Sequence, residues 1–214
     1  MIDLYCERLG AGLLAEPLNA ITNLSFIVAA IVIWLQARRL NVSSREIRLL
    51  IGLIAAIGLG SGLFHTFATL WTQVLDILPI LLFQIAFLWI YGRQIIKLST
   101  GSLIGMVIAL LISAHFCRQF PHMLNGSLLY APAFVLLLGY ALYHYYHAQR
   151  EHALLLWATG IFSISLFFRS IDMGICTYTP IGTHFLWHLF NGLLVYLVAR
   201  AVLMNLPGTA QNNT

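Results

Sequence analysis

The stretch that decides the fold is residues 49–75, which read LLIGLIAAIGLGSGLFHTFATLWTQVL and contain no Asp, Glu, Lys or Arg. A transmembrane helix needs about 20 consecutive, mainly apolar residues, and this stretch is long enough to supply one. On either side of it, six further stretches also lack those charged residues. They are residues 17–37, 77–92, 98–117, 119–149, 152–168 and 173–199. The spacing of the charges therefore predicts seven membrane-spanning helices.

The composition of the whole chain also indicates a membrane protein. Only 8% of its 214 residues are charged and 60% are hydrophobic, whereas charged residues make up about 25% of a typical soluble domain. The alternating pattern of transmembrane β-strands is absent. We therefore expect an all-α, multi-pass membrane protein with one seven-helix domain over residues 1–204 and a disordered tail over 205–214. The predicted helices cover residues 17–37, 47–68, 73–92, 102–118, 128–147, 152–171 and 181–203.

The basic residues predict the orientation of the bundle. Of the 11 Lys and Arg residues, Arg8, Arg118 and Arg169 fall at one end of the predicted helices and the other eight fall at the opposite end. Cytoplasmic loops carry an excess of Lys and Arg, so we expect the N-terminus outside and the C-terminus in the cytoplasm. In a bacterium the membrane would be the plasma membrane. These bases are explained by topology and anionic lipids, so no nucleic-acid partner is expected, and nothing indicates a protein partner.

Ionisable residues gather at the predicted outer end of the helices. His65 lies near the end of the second helix, Asp76 in the first turn of the third, and His184 and His188 in the first turns of the seventh. An ionisable group at membrane depth is costly, which makes each of them a functional candidate. His184 and His188 are four residues apart and point from one helix face, as in sites where two histidines bind one metal ion. With His65 they make a three-histidine set, which in zinc enzymes leaves a fourth position for water.

Other interpretations of these residues remain open. Imidazole ligands also suit copper, iron or nickel. His65 alone could be a packing residue, and Asp76 could simply favour the start of a helix. His115 and His122 lie at the same end, where we expect them to serve as packing and loop residues rather than as ligands.

The three cysteines, Cys6, Cys117 and Cys176, all map to the predicted outer end. An oxidising exterior permits a disulfide. The sequence is compatible with a bond between Cys6 and Cys176 and equally with three free thiols.

Three segments of the chain share the motifs of one known family. They are Tyr5-Cys6-Glu7 with Ala15-Glu16-Pro17-Leu18-Asn19 and Thr22-Asn23, then Gly60-Ser61-Gly62-Leu63-Phe64-His65 followed by Asp76, and last Asp172 to Cys176 with His184-Phe185-Leu186-Trp187-His188. In these segments the chain resembles the alkaline ceramidases and, more distantly, the adiponectin- and progestin-receptor relatives. The resemblance implies a seven-helix, zinc-binding fold. It also implies hydrolysis, within the membrane, of the amide that joins a long-chain base to a fatty acid.

The resemblance assigns a role to each candidate residue. It implies that His65, His184 and His188 bind zinc, and that Asp76 holds or deprotonates the attacking water. Ser61 lies one turn before His65 on the same helix face, and the resemblance implies that it steadies the oxyanion.

The family also has a calcium site around its N-terminal Cys-Glu segment. Glu7 and Glu16 match this site, whereas Leu4 and Leu9 stand where oxygen ligands are expected. The sequence therefore predicts calcium binding by Glu7 and Glu16, or else pairing of these two carboxylates with Arg8 or Arg169.

Two other classes of function compete with the amidase. One is a membrane receptor or structural protein that binds zinc without turnover. The other is a serine intramembrane protease, suggested by Gly60-Ser61-Gly62. Proteases of that class are expected to have a glycine where this chain has Leu59. That interpretation also gives no role to the paired histidines of the seventh helix.

Overall fold

The computed structural model of the protein describes residues 2–10 and 12–206. Every regular element in these ranges is a helix. The α-helices are α1 (Pro17–Thr22), α2 (Leu24–Arg39), α3 (Arg45–Phe67), α4 (Leu70–Tyr91), α5 (Thr100–Cys117), α6 (Ala131–Tyr146), α7 (Leu154–Ile171) and α8 (His184–Asn205). A π-helical turn at Gly92–Ile96 and 3₁₀ segments at Met123–Tyr130 and Asp172–Ile175 extend three of them. Most of the predicted disordered tail, residues 207–214, lies outside the described residues.

These elements form seven segments that are long and apolar enough to cross a membrane. They are Pro17–Arg39, Arg45–Phe67, Leu70–Ile96, Thr100–Cys117, Met123–Tyr146, Leu154–Ile175 and His184–Asn205. Helices α1 and α2 together make the first of them, with a break at Asn23. The prediction of an all-α, seven-helix membrane protein is thus confirmed for the part of the chain that the structure describes.

The start of α4 differs from the predicted one. The helix begins at Leu70 rather than at residue 73, because Thr69 caps it. The Thr69 hydroxyl accepts the N–H of Thr72, and the Thr72 hydroxyl accepts the N–H of Thr69. This reciprocal capping box satisfies backbone donors that would otherwise have no partner. Asp76 consequently lies in the second turn of α4, whereas the sequence predicts it in the first turn.

The last helix, α8, occupies the centre of the bundle. It packs against α2, α3, α4 and α7, and its small residues Ala199 and Ala201 are fully buried. A Cβ atom at Gly192 would lie 2.5 Å from the Ser25 hydroxyl oxygen, so α8 and α2 approach closely at this glycine. Small residues allow such close approach between membrane helices. The first turns of α8 are therefore surrounded by other helices, which determines the surroundings of His184 and His188.

Candidate metal centre

The structure brings His65, His184 and His188 together although they belong to two helices far apart in the sequence. His65 comes from the last turn of α3, and the other two come from the start of α8. The three side chains are buried, and one nitrogen atom from each lies within 4.8 Å of the corresponding atoms of the others. Each ring centroid lies within 5.3 Å of the other two. This cluster could hold a metal ion.

Two nitrogen atoms of the cluster lack a hydrogen-bond partner in the part of the chain that the structure describes. His65 Nε2 and His184 Nδ1 are both buried and lack a hydrogen-bond partner among the described residues. Leaving a buried polar atom unsatisfied costs about 1–3 kcal/mol. Neutral imidazole nitrogens are the ligands that zinc accepts in catalytic sites. The unpartnered atoms and the all-nitrogen donor set therefore fit a bound zinc ion.

The second nitrogen of His65 is held by a carboxylate. His65 Nδ1 lies 2.5 Å from Glu16 Oε2, and the other oxygen of Glu16 lies 2.5 Å from Arg8 Nε. A carboxylate on one ring nitrogen fixes the tautomer and orientation of a metal-binding histidine, and here it leaves Nε2 facing the cluster. Burial opposes ionisation of Glu16, but hydrogen bonds and charge from His65, with further donors on Asn19 and Arg8, hold its pKa below the ordinary value.

His188 is oriented by the break between α1 and α2. Its Nδ1 lies 3.1 Å from the Thr22 hydroxyl oxygen. The Thr22 hydroxyl itself donates to the Leu18 carbonyl, at 2.7 Å, so its oxygen can accept a hydrogen bond from the N–H at Nδ1 of the histidine. The hydroxyl of Ser25 also donates to the backbone carbonyl of His188. These contacts leave Nε2 of His188 available to a metal.

His184 is positioned by a carboxylate at the start of α8. Asp172 Oδ1 accepts the backbone N–H groups of Thr183 and His184, at 2.6 and 2.9 Å. A carboxylate is favourable at a helix N-terminus because it complements the helix dipole and the free N–H groups. The Tyr5 ring stacks on the His184 imidazole, with centroids 3.7 Å apart. Burial raises the pKa of Tyr5, so the stacked ring stays a neutral phenol.

The loop before α8 requires a glycine. Gly182 has a φ of +62°, and a Cβ atom there would lie 2.2 Å from Asp172 Oδ1 and 2.7 Å from Cys6 Cβ. Beside this loop Cys6 and Cys176 form a disulfide, with Cα atoms 5.1 Å apart. Of the two cysteine states that the sequence allowed, the three free thiols are therefore wrong. Cys117 remains a free cysteine.

Ser61 and Asp76 lie next to the histidine cluster. Ser61 is buried on α3, one turn before His65. Its side chain hydrogen-bonds with the carboxylate of Asp76, which also faces His65. The two candidate catalytic residues thus come from different helices to one place. Their chemical roles remain predictions.

An apolar cavity extends from the histidine cluster along the inside of the bundle. Its empty space, including the part that is open to the surroundings, is about 880 Å³. Ser61 and His188 lie at one end, and Tyr140 and Val198 lie several turns further along the bundle. The remaining lining comes mainly from large apolar side chains: Phe26, Ile57, Ile80, Phe83, Phe87, Leu110, Leu136, Leu137, Phe162, Trp187, Leu194 and Val195. The shape and lining suit a long hydrocarbon chain whose polar end is near the histidines.

The other candidates of the sequence analysis lie outside the cluster. Both carboxylate oxygens of Glu7 accept backbone N–H groups at the start of α1, from Leu18 at 2.6 Å and Asn19 at 2.8 Å. Of the two arginines proposed as partners of the glutamates, Arg8 pairs with Glu16. Arg169 instead lies over two aromatic rings. His115 and His122 are exposed and do not belong to the three-histidine cluster.

Sequence reasoning did not identify the residues that hold the histidines. Glu16 was predicted as a calcium ligand or as a partner of Arg8 or Arg169, and Tyr5, Thr22 and Asp172 were recognised only as parts of family motifs. The available signal was the number of polar residues around the break at Asn23, in a segment that otherwise reads as a membrane helix. Their particular partners depend on contacts between distant helices.

Fold and site together define a multi-pass membrane protein with a buried three-histidine cluster at one end of an apolar cavity. The family model described as Ceramidase matches residues 5–212, which is nearly the whole chain. The chain belongs to the ceramidase family. Family membership implies hydrolysis of the ceramide amide bond, so the protein is an amidase that acts on a membrane lipid. A search of curated proteins found no match.

Proposed function

We propose that this protein is a zinc-dependent amidase that cleaves ceramide, or a related N-acyl lipid, into a free fatty acid and an amine within the membrane. The observation that carries the proposal is the position of the histidine cluster. His65, His184 and His188 offer nitrogen atoms within 4.8 Å of one another, and His188 also lines the apolar cavity. A hydrocarbon chain in that cavity would bring its amide to the cluster.

The three histidines would hold zinc, which when bound polarises a carbonyl group and makes water easier to deprotonate. The remaining steps belong to side chains of the protein. Asp76 is the candidate general base because its carboxylate faces His65 and hydrogen-bonds with Ser61. A carboxylate oxygen of Asp76 would accept a proton from the attacking water. The same oxygen would then donate this proton to the leaving amine.

Ser61 would stabilise the charge that develops on the amide oxygen. It is buried, lines the cavity, and lies one helical turn from His65. In the absence of substrate its hydroxyl interacts with Asp76. With an amide in place, the hydroxyl could donate to the developing oxyanion, a contribution typically worth about 2.7–4 kcal/mol.

The cavity would bind the hydrocarbon part of the substrate. Its lining excludes water from the acyl chain, and this burial is favourable by about 25 cal/mol per Å² of apolar surface. Since the bundle lies in a membrane, a poorly soluble lipid can enter without passing through water. Binding in this orientation would place the amide carbonyl between Ser61 and the histidines.

Metal analysis of the purified protein, combined with a screen of N-acyl lipids, tests the proposal. We expect zinc at one ion per chain and release of fatty acid from at least one lipid amide. His188→Ala should lose both, whereas His122→Ala, which changes an exposed histidine at the same end of the bundle, should keep both. A chelator should abolish the hydrolysis and added zinc should restore it.

Two results would count against this function. A His188→Ala protein that cleaves lipid amides at the wild-type rate would exclude the proposed metal role. A zinc-loaded wild-type protein that cleaves none of the lipids, but retains fatty acid as a bound ligand, would favour the non-catalytic receptor.

A further inference from the structure

A buried arginine stands behind the histidine cluster. Arg8 is 4% exposed and Glu16 is 2% exposed. Arg8 Nε lies 2.5 Å from Glu16 Oε1, and Arg8 Nη2 donates to the backbone carbonyl of His65, at 3.1 Å. Arg8 therefore contacts His65 in two ways, directly at the backbone and through Glu16 at the imidazole. The proposed mechanism does not use this arginine.

The acidic residues at this place do not fit the calcium site that the family resemblance implies. Calcium takes six to eight oxygen ligands at about 2.3–2.6 Å. Each carboxylate oxygen of Glu7 and Glu16 instead faces an N–H donor, supplied by the backbone of Leu18 and Asn19 or by side chains that include Arg8 and His65. A cation placed there would meet these donors and the positive charge of the guanidinium.

The buried side-chain oxygen atoms that remain in this region are too few for calcium. Leu4 and Leu9 offer no side-chain oxygen, and both are exposed. Two buried amide oxygens, Asn19 Oδ1 and Asn23 Oδ1, have no hydrogen-bond donor among the described residues. Two neutral oxygens do not replace the carboxylates of a calcium site, and a water molecule suits such buried acceptors equally well.

We infer that the Arg8 guanidinium takes the place of the calcium that the family resemblance implies: it neutralises Glu16 so that Glu16 can orient His65, and the protein therefore needs no calcium. A guanidinium is permanently charged, and its hydrogen bond to a carboxylate is charge-assisted and strong. Arg8 is thus a positioning residue, which acts on the metal centre through Glu16. The effect on the metal rests on the proposed role of His65, whereas the calcium independence does not.

The wild-type protein gives the first test, which does not depend on turnover. We expect purified protein that is supplied with calcium to retain less than one calcium ion per ten chains in elemental analysis. Added calcium chloride should shift the thermal unfolding midpoint no more than magnesium chloride does, because an ion that binds only the folded state raises that midpoint. One calcium ion per chain, or a calcium-specific rise of the midpoint, would overturn the inference.

Variants of Arg8 test the positioning role. Contacts behind a metal ligand typically change metal affinity by about 10- to 100-fold. We therefore expect Arg8→Gln to weaken zinc binding by about that factor, measured by competition with a chromophoric chelator. Arg8→Lys should weaken it less, since the charge remains. Arg118→Gln is the matched control, because Arg118 is exposed at the same end of the bundle. Equal zinc affinity in Arg8→Gln and Arg118→Gln would overturn the positioning role.

A double variant separates neutralisation from simple loss of packing. If Arg8 acts by compensating the buried charge of Glu16, then Arg8→Gln combined with Glu16→Gln should be more stable to heat than Arg8→Gln alone. An additive loss of stability would contradict this coupling. If Arg8→Gln does not fold, Arg8→Lys still tests the positioning role, and the calcium measurements on the wild type still test the calcium independence. A wild type that binds no zinc would refute the proposed function, but the calcium result would still test the calcium independence.

Discussion

Gly60 of α3 lies directly against the backbone carbonyl of Leu75 in α4. A Cβ atom at Gly60 would be only 1.9 Å from the Leu75 carbonyl oxygen and 3.3 Å from the backbone nitrogen of Asp76. Pro79 stands four residues after Leu75 and has no N–H to donate, so this carbonyl lacks its usual helical partner. The Cα–H of a glycine can make a weak hydrogen bond to such a carbonyl. The close crossing brings Ser61, the neighbour of Gly60, beside Asp76.

This crossing predicts that Gly60→Ala disturbs the site. The added methyl group must push α4 away from α3, and overpacking of this kind costs about 1–3 kcal/mol. Because the displacement acts next to Asp76, we expect a fall in kcat of at least about tenfold together with a lower unfolding midpoint. Gly52→Ala is the control on the same helix, since no atom lies within 4 Å of the added methyl group. Equal activity and stability in the two variants would show that a methyl group fits between α3 and α4 at Gly60.

Replacement of Asp76 by asparagine tests the general base. Asp76→Asn keeps the size of the side chain and the contact with Ser61 but cannot accept a proton. General base catalysis typically contributes about 10²- to 10⁴-fold, so kcat should fall within that range. Zinc content should not change, because Asp76 is not one of the three clustered histidines. Loss of zinc in step with the activity would instead indicate that Asp76 belongs to the metal-binding set.

Replacement of Ser61 by alanine tests the oxyanion role and the protease alternative together. We expect kcat to fall by about 10²- to 10³-fold, the usual effect of removing one oxyanion donor, with little change in KM. Ser113→Ala is a suitable control, since the Ser113 hydroxyl is exposed and donates only to its own helix. The wild type should not react with a fluorophosphonate. Covalent labelling at Ser61 would favour a serine nucleophile over the proposed amidase.

Removal of the disulfide should loosen the segment that holds His184. Cys6 and Cys176 are 170 residues apart in the sequence, and the backbone N–H of Cys6 also donates to Asp172, at 3.2 Å. We expect replacement of both cysteines by alanine to lower the free energy of unfolding by about 2–5 kcal/mol and to weaken zinc binding. Cys117→Ala should change neither quantity, because Cys117 is free. An unchanged zinc affinity in the double variant would mean that Asp172 alone positions the start of α8.

Much of the fold could be predicted because it depends on local composition. Charged residues are excluded from the membrane interior, so their spacing marks the seven spans before any contact is known. The predicted helix ends differ from the observed ones where a local feature was not recognised. The capping box at Thr69 starts α4 earlier, and the π-helical turn Gly92–Ile96 prolongs the third span beyond residue 92.

The sequence by itself determined the seven spans and the pairing of His184 with His188, because lipid exclusion and the helical repeat act within one segment. Only the tertiary structure decided that His65 lies beside these two histidines. It also decided that Glu16 contacts both His65 and Arg8, and that Asp172 caps α8. These contacts join residues that are 8 to 123 positions apart in the sequence. They depend on how closely the helices approach at a few glycines, a property of the packed bundle that no single segment contains.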